Sequence, residues 1–167
     1  MIVVSDTTPI ISLMKIKQLE LLEKLFGTVK IPVGVFEELT ANPLYQEEVE
    51  QIKRSSFIEI VSVKDIKSVA IFRKATGLDK GESEAIVLTE EIQGDSLLMD
   101  ERKGRQVASQ MGITTIGTLG ILFNAYEEKI LTTDIVVESI DEMRSTGIRI
   151  SDSLYNELLE KIQSYDK

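Results

Sequence analysis

The sequence predicts an α/β protein in which a mostly parallel, five-stranded sheet is flanked by helices. Patterns typical of strands and of helices alternate along the chain, as they do when crossover helices join parallel strands. The first predicted strand, residues 2–4, is a short apolar run, which is typical of a buried strand. The chain has 167 residues. This length fits one domain, which can bury roughly 70% of its unfolded surface without a disulfide or a structural metal.

Five short runs of residues account for the strands. They cover residues 2–4, 28–31, 57–63, 96–99 and 113–116. Ser5-Asp6 follows the first run directly, and Asp100 follows the fourth. Aspartate commonly ends a strand as a turn or cap residue. We therefore expect the first and fourth strands to end at these aspartates.

Apolar residues at helical spacing fill the remaining intervals and the end of the chain. These helices cover residues 9–26 (as one helix or two), 46–54, 66–75, 102–111, 133–144 and 151–164. Three others run from residue 32 to the break at 42–43, from the 77–86 segment to about 93, and from 118 to about 128. Pro32 suits a first helical position, and Gly27 and Gly112 suit a helix C-terminus. Thr118 suits an N-cap.

The organisation of the chain is simple. No repeat, low-complexity tract or linker interrupts the predicted elements. We expect a single domain over residues 1–167, with a core to about residue 130 and a C-terminal helical extension over about 131–167. Asp6 interrupts the N-terminal apolar run too early for a signal peptide, and no stretch approaches the length of a membrane span. A cytoplasmic protein without membrane contact is therefore expected.

The chain has no histidine and no cysteine. The lack of cysteine excludes a disulfide framework, a thiolate zinc site and a cysteine nucleophile. The lack of histidine excludes Ser-His-Asp triads and acid–base catalysis by imidazole. Chemistry near neutral pH must therefore use carboxylates, lysines, hydroxyls or a bound metal.

The net charge of −9, from 28 acidic and 19 basic side chains, opposes nucleic acid as a partner at first sight. This objection weakens if several acids bind cations, because a bound metal inverts the local sign of charge. There is no tryptophan and only 5% of the residues are aromatic. A stacking platform for single-stranded nucleic acid is therefore not expected.

Two aspartates follow strands directly, Asp6 after the first and Asp100 after the fourth. In an open parallel sheet, ligands bind beyond the carboxyl ends of the strands, at the point where the strand order reverses. If the order is 3-2-1-4-5, strands one and four are neighbours at that point and both carboxylates face one crevice. Each aspartate considered alone is also explained as a turn residue.

Four glutamates lie in predicted helices: Glu37 and Glu38 after strand two, and Glu82 and Glu84 before strand four. Glu82 and Glu84 are about 200° apart around a helix, so both cannot point into one site. Glu82 lies three residues after Asp79, the arrangement of a capping box. Glu84 lies at the rim of the buried stripe, where a charge is costly unless it is paired or metal-bound. We therefore expect Glu84 to be the functional member of the pair.

Four motifs together resemble those of PIN domains, with the closest likeness to a small prokaryotic branch related to the toxin nucleases of toxin–antitoxin pairs. The motifs are VSDTTP (residues 4–9), IPVGVFEEL (31–39), GESEAI (81–86) and LLMD (97–100). The resemblance extends from residue 2 to about 130. It implies a three-layer fold with a sheet in the order 3-2-1-4-5, and a site that uses Mg²⁺ or Mn²⁺ to cleave RNA.

The same resemblance implies a role for particular residues. Asp6, Glu38, Glu84 and Asp100 match the four acids that bind the metal and carry catalysis. Thr7 matches the hydroxyl residue that follows the first acid, and we expect it to contact the substrate. Oxygen ligands are those that Mg²⁺ and Mn²⁺ prefer. A bound metal lowers the pKa of a water molecule and neutralises charge on the phosphate.

One position departs from the family pattern. Many relatives carry a further acid two places after the fourth, where this chain has Arg102. A second metal position is therefore not assured by the resemblance. Arg102 and Lys103, with Arg105, are candidates to hold the RNA backbone, although a solvated helix face explains them as well.

We therefore expect a metal-dependent endoribonuclease that hydrolyses RNA phosphodiester bonds, in the manner of a toxin, with an antitoxin protein and a second copy of the chain as partners. The alternative is a catalytically weak PIN scaffold for binding or assembly, to which the C-terminal helices would contribute. Phosphate-transfer enzymes of the haloacid-dehalogenase type need a second Asp where this chain has Thr8. Response-regulator receivers need an acidic pair after strand one and a lysine after strand five, and the sequence has neither.

Overall fold

Five parallel strands form one sheet in the order 3-2-1-4-5, in a computed structural model that describes residues 1–166. They are β1 (Val3–Ser5), β2 (Val29–Pro32), β3 (Ile58–Val61), β4 (Ser96–Leu98) and β5 (Thr115–Ile116). The predicted fold class and strand order are confirmed, and all four strand pairs are parallel. The order reverses between β1 and β4, so the carboxyl ends of these two strands border the crevice in which such sheets bind ligands.

Helices connect the strands and complete the chain. They are α1 (Thr7–Lys15), α2 (Leu21–Phe26), α3 (Val33–Ala41), α4 (Gln46–Arg54), α5 (Ile66–Thr76), α6 (Lys80–Glu91), α7 (Arg102–Gln110), α8 (Thr118–Glu127), α9 (Thr133–Ser145) and α10 (Asp152–Tyr165). A 3₁₀ turn, Pro43–Tyr45, separates α3 from α4. Proline and the preceding asparagine end α3 there, because Pro43 lacks the amide hydrogen that a continuing helix needs.

The two faces of the sheet are buried against different helices. Successive residues of a strand point to opposite faces. Val3 and Leu98 accordingly lie in a core shared with α1 to α4 and α8 to α10, whereas Val4, Leu97 and Met99 lie in a second core shared with α5 to α7. The sheet is therefore the middle of three layers, as a parallel sheet covered on both faces requires.

Several boundaries differ from those predicted by the sequence. The edge strands β3 and β5 have four and two residues rather than seven and four. Each pairs with a single neighbour, so pairing stops where that neighbour stops. The helical stretch after β1 divides into α1 and α2 and starts at Thr7, because Asp6 has the extended backbone of an N-cap residue.

The C-terminal helices are part of the larger core. Val136, Ile140 and Met143 of α9 and Leu158 and Ile162 of α10 are buried in the same apolar cluster as the sheet. The segment predicted as an extension therefore contributes to the packing of the region before residue 130.

We predict that Ile140→Ala lowers the free energy of unfolding by about 2–5 kcal/mol, because the side chain is 0% exposed and its removal leaves a cavity. Urea unfolding should stay a single transition if the chain folds as one domain. Ile135→Ala on the same helix, where the side chain is 37% exposed, is the control and should cost much less. A separate early transition in the Ile140→Ala variant would contradict the single domain.

Candidate metal centre

The carboxyl ends of β1 and β4 bring two aspartates to one edge of the sheet. Ser5 pairs with Leu98 in the parallel register. The backbone N–H of Asp6 donates to the carbonyl oxygen of Leu98 at 2.9 Å, which extends the pairing one residue beyond β1. Asp6 and Asp100 therefore leave neighbouring strands at the same end, as the sequence predicts.

Asp6 is a buried carboxylate with acidic neighbours. It is 4% exposed, and although it is the N-cap residue of α1, its side chain makes no cap hydrogen bond. Burial raises its pKa to about 7, against a lowering contribution from the backbone N–H of Thr7. Three nearby carboxylates, those of Glu82, Asp79 and Glu38, raise the pKa further. Above about pH 7, the ionised Asp6 carboxylate is therefore costly unless a cation is bound.

Glu38 reaches the same edge from α3 and is held by two hydrogen bonds. The hydroxyl of Thr7 donates to Oε2 at 3.1 Å, and the backbone N–H of Gly81 donates to Oε1 at 3.0 Å. A Cβ atom on residue 81 would overlap the Glu38 carboxylate, so glycine is needed for this approach. Burial raises the pKa of Glu38, and the nearby Asp79 adds to the rise.

Glu82 lies in the first turn of α6 and forms the capping box that the sequence predicts. Its backbone N–H donates to Asp79 Oδ1 at 2.8 Å, and the backbone N–H of Asp79 donates to Glu82 Oε2 at 3.0 Å. Burial raises the pKa of Glu82, and the charge of Glu38 contributes to the rise. Among the carboxylates that raise the pKa of Asp6, Glu82 acts most strongly. Glu82 therefore belongs to the group of acids around Asp6.

Glu84 points in another direction, toward the N-terminal turn of α3. Its carboxylate occupies the space where residue 34 would have a side chain if it were not glycine. Burial raises the pKa of Glu84, while the ammonium of Lys80 and the backbone N–H of Gly34 lower it. The charge of Glu82 acts on Asp6, and the charge of Glu84 acts on Glu38. The two glutamates are separated by about 200° around the helix, so only one faces the strand ends.

Asp100 is fixed by the start of α8. The backbone N–H of Thr118 donates to Oδ1 at 2.7 Å, and the Thr118 hydroxyl donates to Oδ2 at 2.6 Å. The sequence predicts Thr118 as the N-cap, but Gly117 has that position and Asp100 supplies the capping oxygens from another part of the chain. The physical reason is that an anion is favourable at a helix N-terminus whichever segment provides it.

The basic residues that follow Asp100 have different surroundings. Arg102 and Lys103 are exposed in the first turn of α7, and the Lys103 ammonium lies against Gly77 in the loop before α6. Arg105 is half-buried and donates from Nη1 to the carbonyl oxygen of Met99 at 2.9 Å. Arg102 and Lys103 are therefore accessible to solvent, whereas Arg105 contacts the backbone next to Asp100.

The donor set suits a hard divalent cation. Mg²⁺ and Mn²⁺ prefer carboxylate oxygens, and a cation would relieve the repulsion among Asp6, Glu38 and Glu82. Within residues 1–166, however, no three acidic side chains are arranged as ligands of a single ion. The carboxylates of Glu38 and Asp100 instead accept hydrogen bonds from Thr7, Gly81 and Thr118.

A family model for PIN domains matches residues 2–164. The chain belongs to the PIN-domain family. The match includes α9 and α10, so the resemblance reaches well beyond the limit of about 130 that the motifs indicated. PIN domains are generally nucleases, and they generally use divalent metal ions. A comparison with curated proteins gives no match.

Two features of this PIN domain escaped the sequence analysis. Gly34 and Gly81 were not recognised as residues that make room for the carboxylates of Glu84 and Glu38. For Gly81, the sequence offers only the signal of a glycine inside a predicted helix start. Over residues 1–166, every helix is too short or too polar to cross a bilayer.

We predict that Asp6→Asn makes the metal-free protein more stable at pH 8. The folded-state pKa of Asp6 is about 7, above the ordinary value of 3.8, so the folded chain retains a proton that the unfolded chain releases. Stability is therefore lost as pH rises from about 4 through about 7, by at most about 4 kcal/mol. Asparagine removes this loss and still suits an N-cap position.

Urea unfolding at pH 5 and pH 8 with a chelator measures the effect. The advantage of the Asp6→Asn variant should be large at pH 8 and small at pH 5. Asp141→Asn, at an exposed position on α9, is the control and should leave the pH dependence of the wild type unchanged. An Asp6→Asn variant that is less stable at both pH values would show that the carboxylate has a purely structural role.

Proposed function

We propose that this PIN domain is a metal-dependent endoribonuclease that hydrolyses RNA phosphodiester bonds. Asp6, Glu38, Glu82 and Asp100 would hold Mg²⁺ or Mn²⁺ at the carboxyl edge between β1 and β4. This set keeps three of the four acids that the sequence predicts and replaces Glu84 with Glu82.

The observation that carries the proposal is the buried Asp6 carboxylate. Its pKa is raised by burial and by three neighbouring carboxylates, and no lysine or arginine is among the described groups that act on it. Such a cluster lowers the stability of the folded chain unless a cation is bound. Sites with strongly shifted pKa values at the ligand-binding edge of a sheet are typical of function rather than of folding.

The residues of the proposed site would have different roles. A bound divalent ion supplies a water molecule of lowered pKa and positive charge for the phosphate. Thr7 and the N–H of Gly81 orient Glu38, and Thr118 orients Asp100. Thr7 was expected to contact the substrate. Its hydroxyl donates to the Glu38 carboxylate, and its proposed role is to hold Glu38.

Arg102 and Lys103 are proposed to contact the RNA backbone. They are exposed at the start of α7, two and three residues after Asp100. Because they follow Asp100 so closely in the sequence, their positive charge would be available to phosphate bound at this edge, in a chain whose net charge is −9. The antitoxin and the homodimer remain predictions from the resemblance.

The Glu82→Gln and Glu84→Gln variants form a matched pair that tests the third acid. We predict that Glu82→Gln lowers Mn²⁺-dependent cleavage of single-stranded RNA by at least about 100-fold, as the loss of a metal ligand should. Glutamine can still complete a capping box, so the variant should fold normally. Glu84→Gln should cleave at close to the wild-type rate.

The same pair is measured by thermal unfolding with Mn²⁺ and with chelator. Metal that binds only the folded state raises the melting temperature of wild type and of Glu84→Gln, and much less that of Glu82→Gln. Loss of activity in Glu84→Gln alone would restore the assignment made from the sequence. Wild-type protein that neither cleaves RNA nor gains stability from Mn²⁺ would favour the alternative of a binding scaffold.

We further predict that replacing Arg102 and Lys103 by alanine weakens RNA binding and reduces its dependence on salt. Removal of one phosphate-binding side chain should reduce the slope of log K against log salt by about 0.7 for single strands. Titrations at several salt concentrations, with EDTA to prevent cleavage, give the slope. Lys161→Ala on α10 is the control. An unchanged slope in the double variant would mean that RNA binds elsewhere.

A further inference from the structure

Helices α3 and α6 each contribute one glycine and one glutamate to their contact. On α3, Gly34 and Glu38 are one turn apart; on α6, Gly81 and Glu84 are three residues apart. Residues at these spacings lie on one face of a helix. The glutamate of each helix lies over the glycine of the other.

The first of these two contacts is between Glu38 and Gly81. The Glu38 carboxylate fills the space that a side chain at residue 81 would occupy, and it accepts the Gly81 N–H at 3.0 Å. The first-turn N–H groups of a helix have no partner within the helix. Glu38 therefore satisfies one of them in α6 while it reaches the metal centre.

The second contact is between Glu84 and Gly34. A Cβ atom on residue 34 would overlap Oε2 of Glu84. That oxygen is buried and makes no hydrogen bond within residues 1–166. The nearby N–H of Gly34 lowers the pKa of the carboxyl group but leaves this oxygen without a partner. A buried polar atom without a partner is costly, so hydrogen bonding alone does not explain why Glu84 occupies this position.

The ion pair between these helices is weak. Lys80 of α6 pairs with Glu37 of α3 at 2.9 Å, but both side chains are about half exposed. Exposed ion pairs contribute little to stability. The two glycine–glutamate contacts are close contacts between the start of α6 and α3, because each carboxylate fills the space over a glycine.

We propose that Glu84 is a positioning residue of the metal centre, whose side chain fills the space over Gly34 and fixes the spacing of α3 and α6. Glu38 is one turn beyond Gly34 on α3, and Glu82 precedes Glu84 by two residues on α6. The distance between these two proposed ligands therefore depends on the spacing. The inference rests on the proposed metal centre, and it assigns Glu84 a role through shape rather than charge.

Mn²⁺ affinity, measured by electron paramagnetic resonance of the free ion, tests the role. Glu84→Gln preserves the shape and should bind Mn²⁺ like wild type. Glu84→Ala leaves a gap and should bind about 10-fold more weakly, the lower range for loss of a residue that orients metal ligands. Gly34→Ala should also weaken binding, because its Cβ displaces Glu84. Adding Glu84→Ala to Gly34→Ala should recover affinity, because the new methyl group then occupies the vacated space.

Two outcomes would overturn the role. Equal loss of affinity in Glu84→Gln and Glu84→Ala would mean that the charge acts, and unchanged affinity in Glu84→Ala would mean that the spacing does not matter to the site. If the wild type binds no Mn²⁺, the proposed function fails. The midpoints of urea unfolding then test, without metal, whether the side chain of Glu84 packs over Gly34. Non-additive shifts for Gly34→Ala and Glu84→Ala support the contact, and additive shifts overturn it.

Discussion

Burial of the Asp6 carboxylate is the constraint on which the carboxyl edge of the sheet depends. The residue leaves β1 at the point where strand order reverses, and it is 4% exposed. With its pKa raised to about 7, the carboxyl group holds a proton below neutral pH, and a bound cation would take the place of that proton. At higher pH and without a cation, the ionised acids around Asp6 lower the stability of the folded chain.

The charge of Asp100, which follows the neighbouring strand β4, is compensated in a different way. Both of its oxygens accept hydrogen bonds from Thr118, so the start of α8 compensates for its charge without a cation. Asp6 and Asp100 therefore differ in the ease with which they can change partners, although both follow a strand at the same edge. In the proposed site, Asp100 would therefore keep its position, because the start of α8 holds it. The Asp6 side chain, which makes no cap hydrogen bond, would be able to adjust to a ligand.

The order of the strands could be predicted because it follows from local patterns: apolar runs, helical spacing and the likeness of four short motifs. The meeting of Asp6 and Asp100 at one edge followed from that order. The choice between Glu82 and Glu84 could not be made in the same way. The capping box explains Glu82 fully at the level of sequence, yet it engages Oε2 and leaves the side chain beside Asp6. The position of Glu84 depends on the missing side chain of Gly34, a contact 50 residues away in the sequence that local patterns do not encode.

The overall charge of the chain is a poor guide to what its carboxyl edge can bind. A net charge of −9 describes the field far from the surface, where salt screens it within about 10 Å. Close to the edge, a divalent ion would offset two of the acidic charges, and Arg102 and Lys103 lie within three residues of Asp100. The sign of the local field then depends on whether the ion is bound. An acidic PIN domain of this kind would attract a phosphate at this edge more strongly in its metal-bound state, so metal binding and RNA binding are expected to be coupled.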